Sequence, residues 1–270
     1  MNTPSFIFFG TSEFSVEVLN TLFSQNILPV HIITTPDKPR GRHLTLTQSP
    51  VKTWAIKHSI AYSQPEQLKD PATLLFLQNI TADVFIVASY GKIIPQKILD
   101  IPHQKTLNIH PSLLPKLRGA SPIQSTILTE NVAGVTIIRL DSKMDHGPII
   151  AQKTIPIVPW PPQYEGLEKT LAHEGALLLA LILPQWIAGT LPEIEQIHTD
   201  ATYTEKIEKI DGEIKLDDEP EKLFRKYQAF HSWPGTYFFV EKGDRRMRLI
   251  VTEAILNEGL FEIQKVIPEG

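Results

Sequence analysis

The tightest constraint on this chain lies at its N-terminus, where Phe6-Ile7-Phe8-Phe9 runs into Gly10-Thr11-Ser12 and is followed by Phe14, Val18, Leu19 and Leu22. A short apolar run, a glycine turn and apolar residues at helical spacing read as strand, turn, helix. A strand apolar at every position has no polar face to turn to water, so it must be covered on both sides. The pattern repeats along the chain. Residues 29–35, 83–88 and 106–109 read as further strands, residues 51–57 as a helix, and residues 135–140 and 149–157 continue the β pattern before a long helix over 164–188. Strands parted by helices specify an α/β fold built on a mainly parallel sheet.

Gly189-Thr190-Leu191-Pro192 is a helix stop, and the polar stretch after it has no period. The spacing therefore predicts a sheet domain over residues 1–189, a linker over 190–204 and a second domain over 205–270. That second domain reads as a helix over 220–229 and short strands near 236–240, 247–252 and 260–266, which fits a small β-barrel. It holds 11 Lys and Arg against 14 Asp and Glu, a net charge of −3.

Composition narrows the chemistry. There is no Cys, which excludes a disulfide framework, a thiolate zinc site and a cysteine nucleophile, and fits a cytoplasmic protein. The whole chain carries 26 Lys and Arg against 30 Asp and Glu, so net charge does not draw it to nucleic acid or to an anionic membrane. The longest purely apolar run, residues 176–183, is far shorter than the ~20 residues that span a bilayer. No basic segment followed by an apolar stretch marks residues 1–10 as a secretory signal.

Two segments could carry chemistry. The Gly10 turn lacks the second and third glycines that let a pyrophosphate approach a helix N-terminus, and Glu13 would repel one. The run Asn108-Ile109-His110-Pro111-Ser112-Leu113-Leu114-Pro115-Lys116-Leu117-Arg118-Gly119 follows an apolar strand, at the end where parallel sheets bind ligands. Asn108 and His110 are two apart on a strand and so share a face. An amide that can donate to a developing oxyanion beside an imidazole suits acyl transfer. Asp145, in Asp141-Ser142-Lys143-Met144-Asp145-His146-Gly147-Pro148, could fold back and orient that imidazole. Ser112 is no hydrolase nucleophile, because the Gly-x-Ser-x-Gly elbow is missing.

Asn108 to Gly119 together with Asp145-His146-Gly147-Pro148 resembles the signature of the folate-dependent formyltransferases. The opening Phe8 to Phe14, the stretch Thr35-Pro36-Asp37-Lys38-Pro39 through Gly41-Arg42 to Ser49-Pro50-Val51-Lys52, Ala88-Ser89-Tyr90-Gly91-Lys92-Ile93-Ile94-Pro95 and Ala229 to Gly235 resemble the branch that acts on methionyl-tRNA. The resemblance implies a Rossmann-like sheet domain with an OB-like barrel after it. It implies Asn108, His110 and Asp145 as catalytic residues, with Asn108 on the formyl oxygen, His110 assisting the addition and Asp145 orienting the histidine. It further implies 10-formyltetrahydrofolate as formyl donor, held by Tyr90, Gly91, Ser112, Leu113, Leu114 and Pro115, and initiator methionyl-tRNA as acceptor. No metal enters, and the protein is expected to be a monomer working in the bacterial cytoplasm at translation initiation.

The loop from Pro36 to Lys52 carries Lys38, Arg40, Arg42 and Lys52 against Asp37, a local excess suited to phosphate contacts. An amino sugar nucleotide as acceptor is the alternative, since it would need the same core without this loop. A fold that binds RNA without chemistry is a third reading, which would leave the three polar residues at one strand end without a purpose.

Overall fold

A computed structural model describes residues 4–40, 45–243 and 245–269. In chain order the elements are β1 (Phe6–Gly10), α1 (Glu13–Ser24), β2 (His31–Ile33), β3 (Lys38–Arg40), β4 (Thr45–Thr47), α2 (Pro50–Lys57), β5 (Tyr62–Ser63), α3 (Pro71–Gln78), β6 (Val84–Ala88) and α4 (Gln96–Leu99). There follow β7 (Thr106–His110), β8 (Arg118–Gly119), α5 (Pro122–Thr129), β9 (Ala133–Arg139), β10 (Ile149–Ile155) and α6 (Tyr164–Ile187). The C-terminal part holds β11 (Tyr203–Thr204), α7 (Pro220–Ala229), β12 (Thr236–Lys242), β13 (Arg245–Asn257) and β14 (Leu260–Pro268).

The central sheet has the order β10-β9-β7-β6-β1-β2-β5. From β5 to β7 every pairing is parallel. The sequence pattern of 135–140 and 149–157 reads as more of the same sheet, and these strands do join it, but antiparallel: β9 against β7 and β10 against β9. The reversal lets the chain pass from β9 to β10 through the loop 141–148, which leaves the sheet beside the start of β7 and folds back toward His110, without a crossover helix.

Strand direction sets where a ligand can sit. β2 and β5 lie on one side of β1 while β6 and β7 lie on the other, so the chain changes direction at β1 and β6. Open parallel sheets hold ligands in the crevice beyond the strand ends at such a point. Along β7 the alternation Thr106-Leu107-Asn108-Ile109-His110 sends Leu107 and Ile109 into the core beneath α6. Asn108 and His110 are thereby left on the opposite face.

α6 is long and apolar enough to cross a bilayer, yet one stripe of it, including Leu171, Gly175 and Leu179, is buried against the sheet. A Cβ on Gly175 would lie 2.5 Å from Ile109 Cγ2, so the missing side chain lets the helix rest on the strand that carries Asn108 and His110. The small β unit at the C-terminus is a three-stranded antiparallel sheet, β12-β13-β14, with α7 packed on it through Leu223 and Tyr227.

Gly175→Val should overpack this contact and cost about 1–3 kcal/mol in urea unfolding. Unchanged stability would show that α6 does not rest on β7 here.

Candidate active site

The C-terminal ends of β6 and β7, the first turns of α1 and α6, residues 119–124 and the loop 141–145 enclose a cavity of about 540 Å³. Val87, Ile93, Ile94, Leu140 and Met144 line it with apolar surface, while Asn108, His110, Asp145 and Glu168 add polar groups. A cavity of that size and mixture suits a small organic ligand with a few polar edges.

Asn108, His110 and Asp145 come together here. Asn108 is 8% exposed, and its side-chain amide makes no hydrogen bond to any described residue. His110 is 4% exposed, and its Nε2 lies 3.0 Å from the carbonyl oxygen of Leu117. A carbonyl can only accept, so Nε2 carries the proton and the neutral ring keeps its lone pair on Nδ1. That Nδ1 faces Asp145 Oδ1 at 3.6 Å. The other carboxylate oxygen of Asp145 accepts the backbone N–H of Gly119 at 2.8 Å. Asp145 itself has φ +47°, a left-handed backbone that a non-glycine residue adopts only when its surroundings hold it.

Gly119 is required where it stands. Its φ is +118°, and a Cβ there would run into the carbonyl of Thr204. Residues 117–119 thus hold both partners, with Leu117 on the histidine and Gly119 on the aspartate. They are held in turn by the chain after α6: Leu117 N–H donates to Thr202 Oγ1, Arg118 N–H to the Thr202 carbonyl, and β8 pairs with β11.

Tyr90 and Gly91 line the cavity beside this trio. The Tyr90 ring packs edge-on against Phe9, and its buried hydroxyl has no hydrogen-bond partner among the described residues. Burial pushes that hydroxyl's pKa up to about 12. Ser112, Leu113, Leu114 and Pro115, expected at the donor, are not among the residues that line the cavity. Ser112 Oγ donates to the Lys116 carbonyl, Leu113 packs over Gly134, and Leu114 N–H and carbonyl are taken by Thr136 and Gln152. These bonds turn the segment away from the cavity and onto β9 and β10.

The basic loop is an antiparallel ribbon, β3 with β4. Lys38 is exposed on it, whereas Lys52 is drawn inward onto Asp37 at 2.6 Å. Gln64 and Lys52 together hold the Asp37 carboxyl below the usual range. Lys52 is thereby engaged as a brace under the ribbon instead of standing open to a phosphate. Arg42 lies outside the described residues, as does the side chain of Arg40.

Several residues at this site carry no sequence signal of their own. Tyr164 and Glu168, one turn apart at the start of α6, line the cavity and share a hydrogen bond of 2.8 Å. Burial raises the pKa of Glu168 above the usual carboxylate range, opposed by the Tyr164 hydrogen bond, with Glu13 and Glu165 pushing the same way as burial. Gln196, in the stretch read as a polar linker, is 5% exposed and bonds to the backbone of the Asp145 loop.

Comparison with known proteins came to the same segments. The family model described as "Formyl transferase" matches residues 5–183, and "Formyl transferase, C-terminal domain" matches residues 206–264. A curated methionyl-tRNA formyltransferase from Thermotoga maritima is 39% identical over 94% of this chain and 80% of its own length. Among solved structures, a methionyl-tRNA formyltransferase from Clostridium thermocellum superposes with a TM-score of 0.66 at 15% identity, covering 98% of this chain and 99% of that one. A 4-N formyltransferase from Francisella tularensis gives 0.69 at 17% identity, covering 93% and 98%. At such identities the two structures speak for the fold alone.

Because the folded-state pKa of Glu168 is raised, its protonated form is favoured by folding, and that stability is lost as pH rises past the usual carboxylate range. Glu168→Gln keeps a partner for Tyr164 without the charge. Its Tm should match the parent at pH 4 and exceed it increasingly toward pH 8; parallel curves would mean the carboxylate is not penalised.

Proposed function

The chain belongs to the formyl transferase family, and we propose that it moves the formyl group of 10-formyltetrahydrofolate to the α-amino group of methionine on initiator methionyl-tRNA, as translation initiation requires. The observation that carries the reading is the meeting of Asn108, His110 and Asp145 at one end of a mixed cavity. The acceptor is inferred from the 39% identity to a methionyl-tRNA formyltransferase over most of both chains.

The donor supplies an electrophilic formyl carbon. The cavity's apolar walls and the unpartnered Tyr90 hydroxyl suit a flat heterocycle with polar edges. The residues then divide the work. Asn108 donates its amide N–H to the formyl oxygen, where negative charge grows as the amine adds to the carbon. His110 uses the lone pair on Nδ1 to take a proton from the attacking amine as the new C–N bond forms, and gives it to the donor nitrogen as the tetrahedral adduct collapses and the bond between that nitrogen and the formyl carbon breaks. Asp145 stabilises the transient imidazolium across 3.6 Å. Leu117 keeps Nε2 out of the exchange by holding its proton.

Removing the amide in Asn108→Ala should lower kcat by about 10²–10³-fold. His110→Ala should lower it by about 10²–10⁴-fold. Both proteins should stay folded, and near-parent turnover in either would overturn the assignment. Arg42→Ala is expected to weaken use of tRNA with little effect on donor affinity, and to reduce the salt slope of tRNA binding by about 1. The test of the acceptor is transfer of labelled formyl from 10-formyltetrahydrofolate to charged methionyl-tRNA with an amino sugar nucleotide in competition. Label on the tRNA is the expected result; label on the sugar alone would overturn the acceptor and leave the three residues their chemistry.

A further inference from the structure

We propose that Gln196 is a positioning residue for transfer: its side-chain amide, itself held by Arg118, clamps the backbone on either side of His146 and fixes the Asp145 carboxylate against His110. The proposal rests on the reading of Asp145 given above and names what keeps that residue in place.

The hydrogen-bond pattern is specific to an amide. Gln196 Nε2 donates to the carbonyl of Asp145 at 2.9 Å and to that of Gly147 at 2.7 Å. Its Oε1 accepts from Arg118 Nη2 at 2.7 Å and from Nε at 3.2 Å. Both N–H donors and both lone pairs are used, so the side chain is saturated. A carboxylate here could answer Arg118 but not the two carbonyls, and an ammonium could answer the carbonyls but not Arg118. Only a neutral group with donors at one corner and an acceptor at the other does both.

The loop needs such a clamp. Asp145 sits at φ +47°, and Gly147 comes so close to the Arg139 carbonyl that a Cβ would clash. A carboxylate on a backbone of this kind drifts unless it is held from more than one side. Gly119 holds it from the side chain and Gln196 from the main chain. Gln196 is well anchored: Ile194 exchanges both backbone hydrogen bonds with Ile149, and Arg118 is 1% exposed. The same Arg118 lies between the residue that bonds His110 and the residue that bonds Asp145, so the clamp and the two catalytic groups share one rigid segment. A misplacement of about 1 Å can lower turnover by about 10²-fold without loss of binding.

The test is a double-mutant cycle on formyl transfer to methionyl-tRNA. Gln196→Glu, and the near-isosteric Gln196→Met should the first fail to fold, should lower kcat by about 10²-fold, with KM for donor and acceptor nearly unchanged. In an Asp145→Asn background the same substitution should cost almost nothing further, because it acts through the carboxylate already removed. A full additional loss in that background, or parent turnover in both Gln196 variants, would overturn the role. Parent turnover in Asp145→Asn itself would instead overturn the reading of the site on which the role rests, and the role with it.

Discussion

The hydrogen bond from His110 Nε2 to the Leu117 carbonyl is the interaction on which the rest of the site depends. It turns a ring with two equivalent-looking nitrogens into one with a committed donor and a committed acceptor, and it aims the acceptor at Asp145. The carbonyl is itself placed by unusual backbone, with Leu117 at φ +61°. The segment before it is bonded at almost every residue, through Ser112, Leu114, Thr136 and Gln152. Residues 112–115 thus serve the chemistry as a brace: they hold the turn that presents the carbonyl.

That brace explains the role of the antiparallel strands. β9 carries Thr136, whose hydroxyl accepts from Leu114 N–H and donates to the Ser112 carbonyl, and β10 carries Gln152, which bonds Leu114 and Thr136. A further parallel strand would need a crossover helix; the tight return between β9 and β10 delivers Asp145 to the imidazole in a few residues. The sheet and the site are therefore built together, with the parallel half making the crevice and the loop between the two antiparallel strands closing one side of it.

Much of this was legible in the sequence, and the rest was hidden for identifiable reasons. The period-two alternation of β7 alone puts Asn108 and His110 on one face, because it needs no partner to read. Strand direction is not written in the strands, so 135–140 and 149–157 looked like the rest of the sheet. Whether Ser112 to Pro115 line the cavity depends on which way the chain turns after Pro111, and that is decided by Thr136 and Gln152, far off in sequence. Lys52 reads as a free cation until Asp37, 15 residues away, is brought to 2.6 Å. Gln196 has no local signal at all, since a single Gln in a polar stretch becomes a clamp only when Arg118 and the Asp145 loop are folded around it.

The most direct measurement is the ¹⁵N chemical shift of the His110 ring in the folded protein at a pH where it is neutral. A proton on Nε2 and a pyridine-like Nδ1 is the expected result, because the Leu117 carbonyl accepts from Nε2 and leaves Nδ1 free to act as the base. A ring protonated on Nδ1 would contradict the account, since the nitrogen facing Asp145 could then take no proton from an attacking amine.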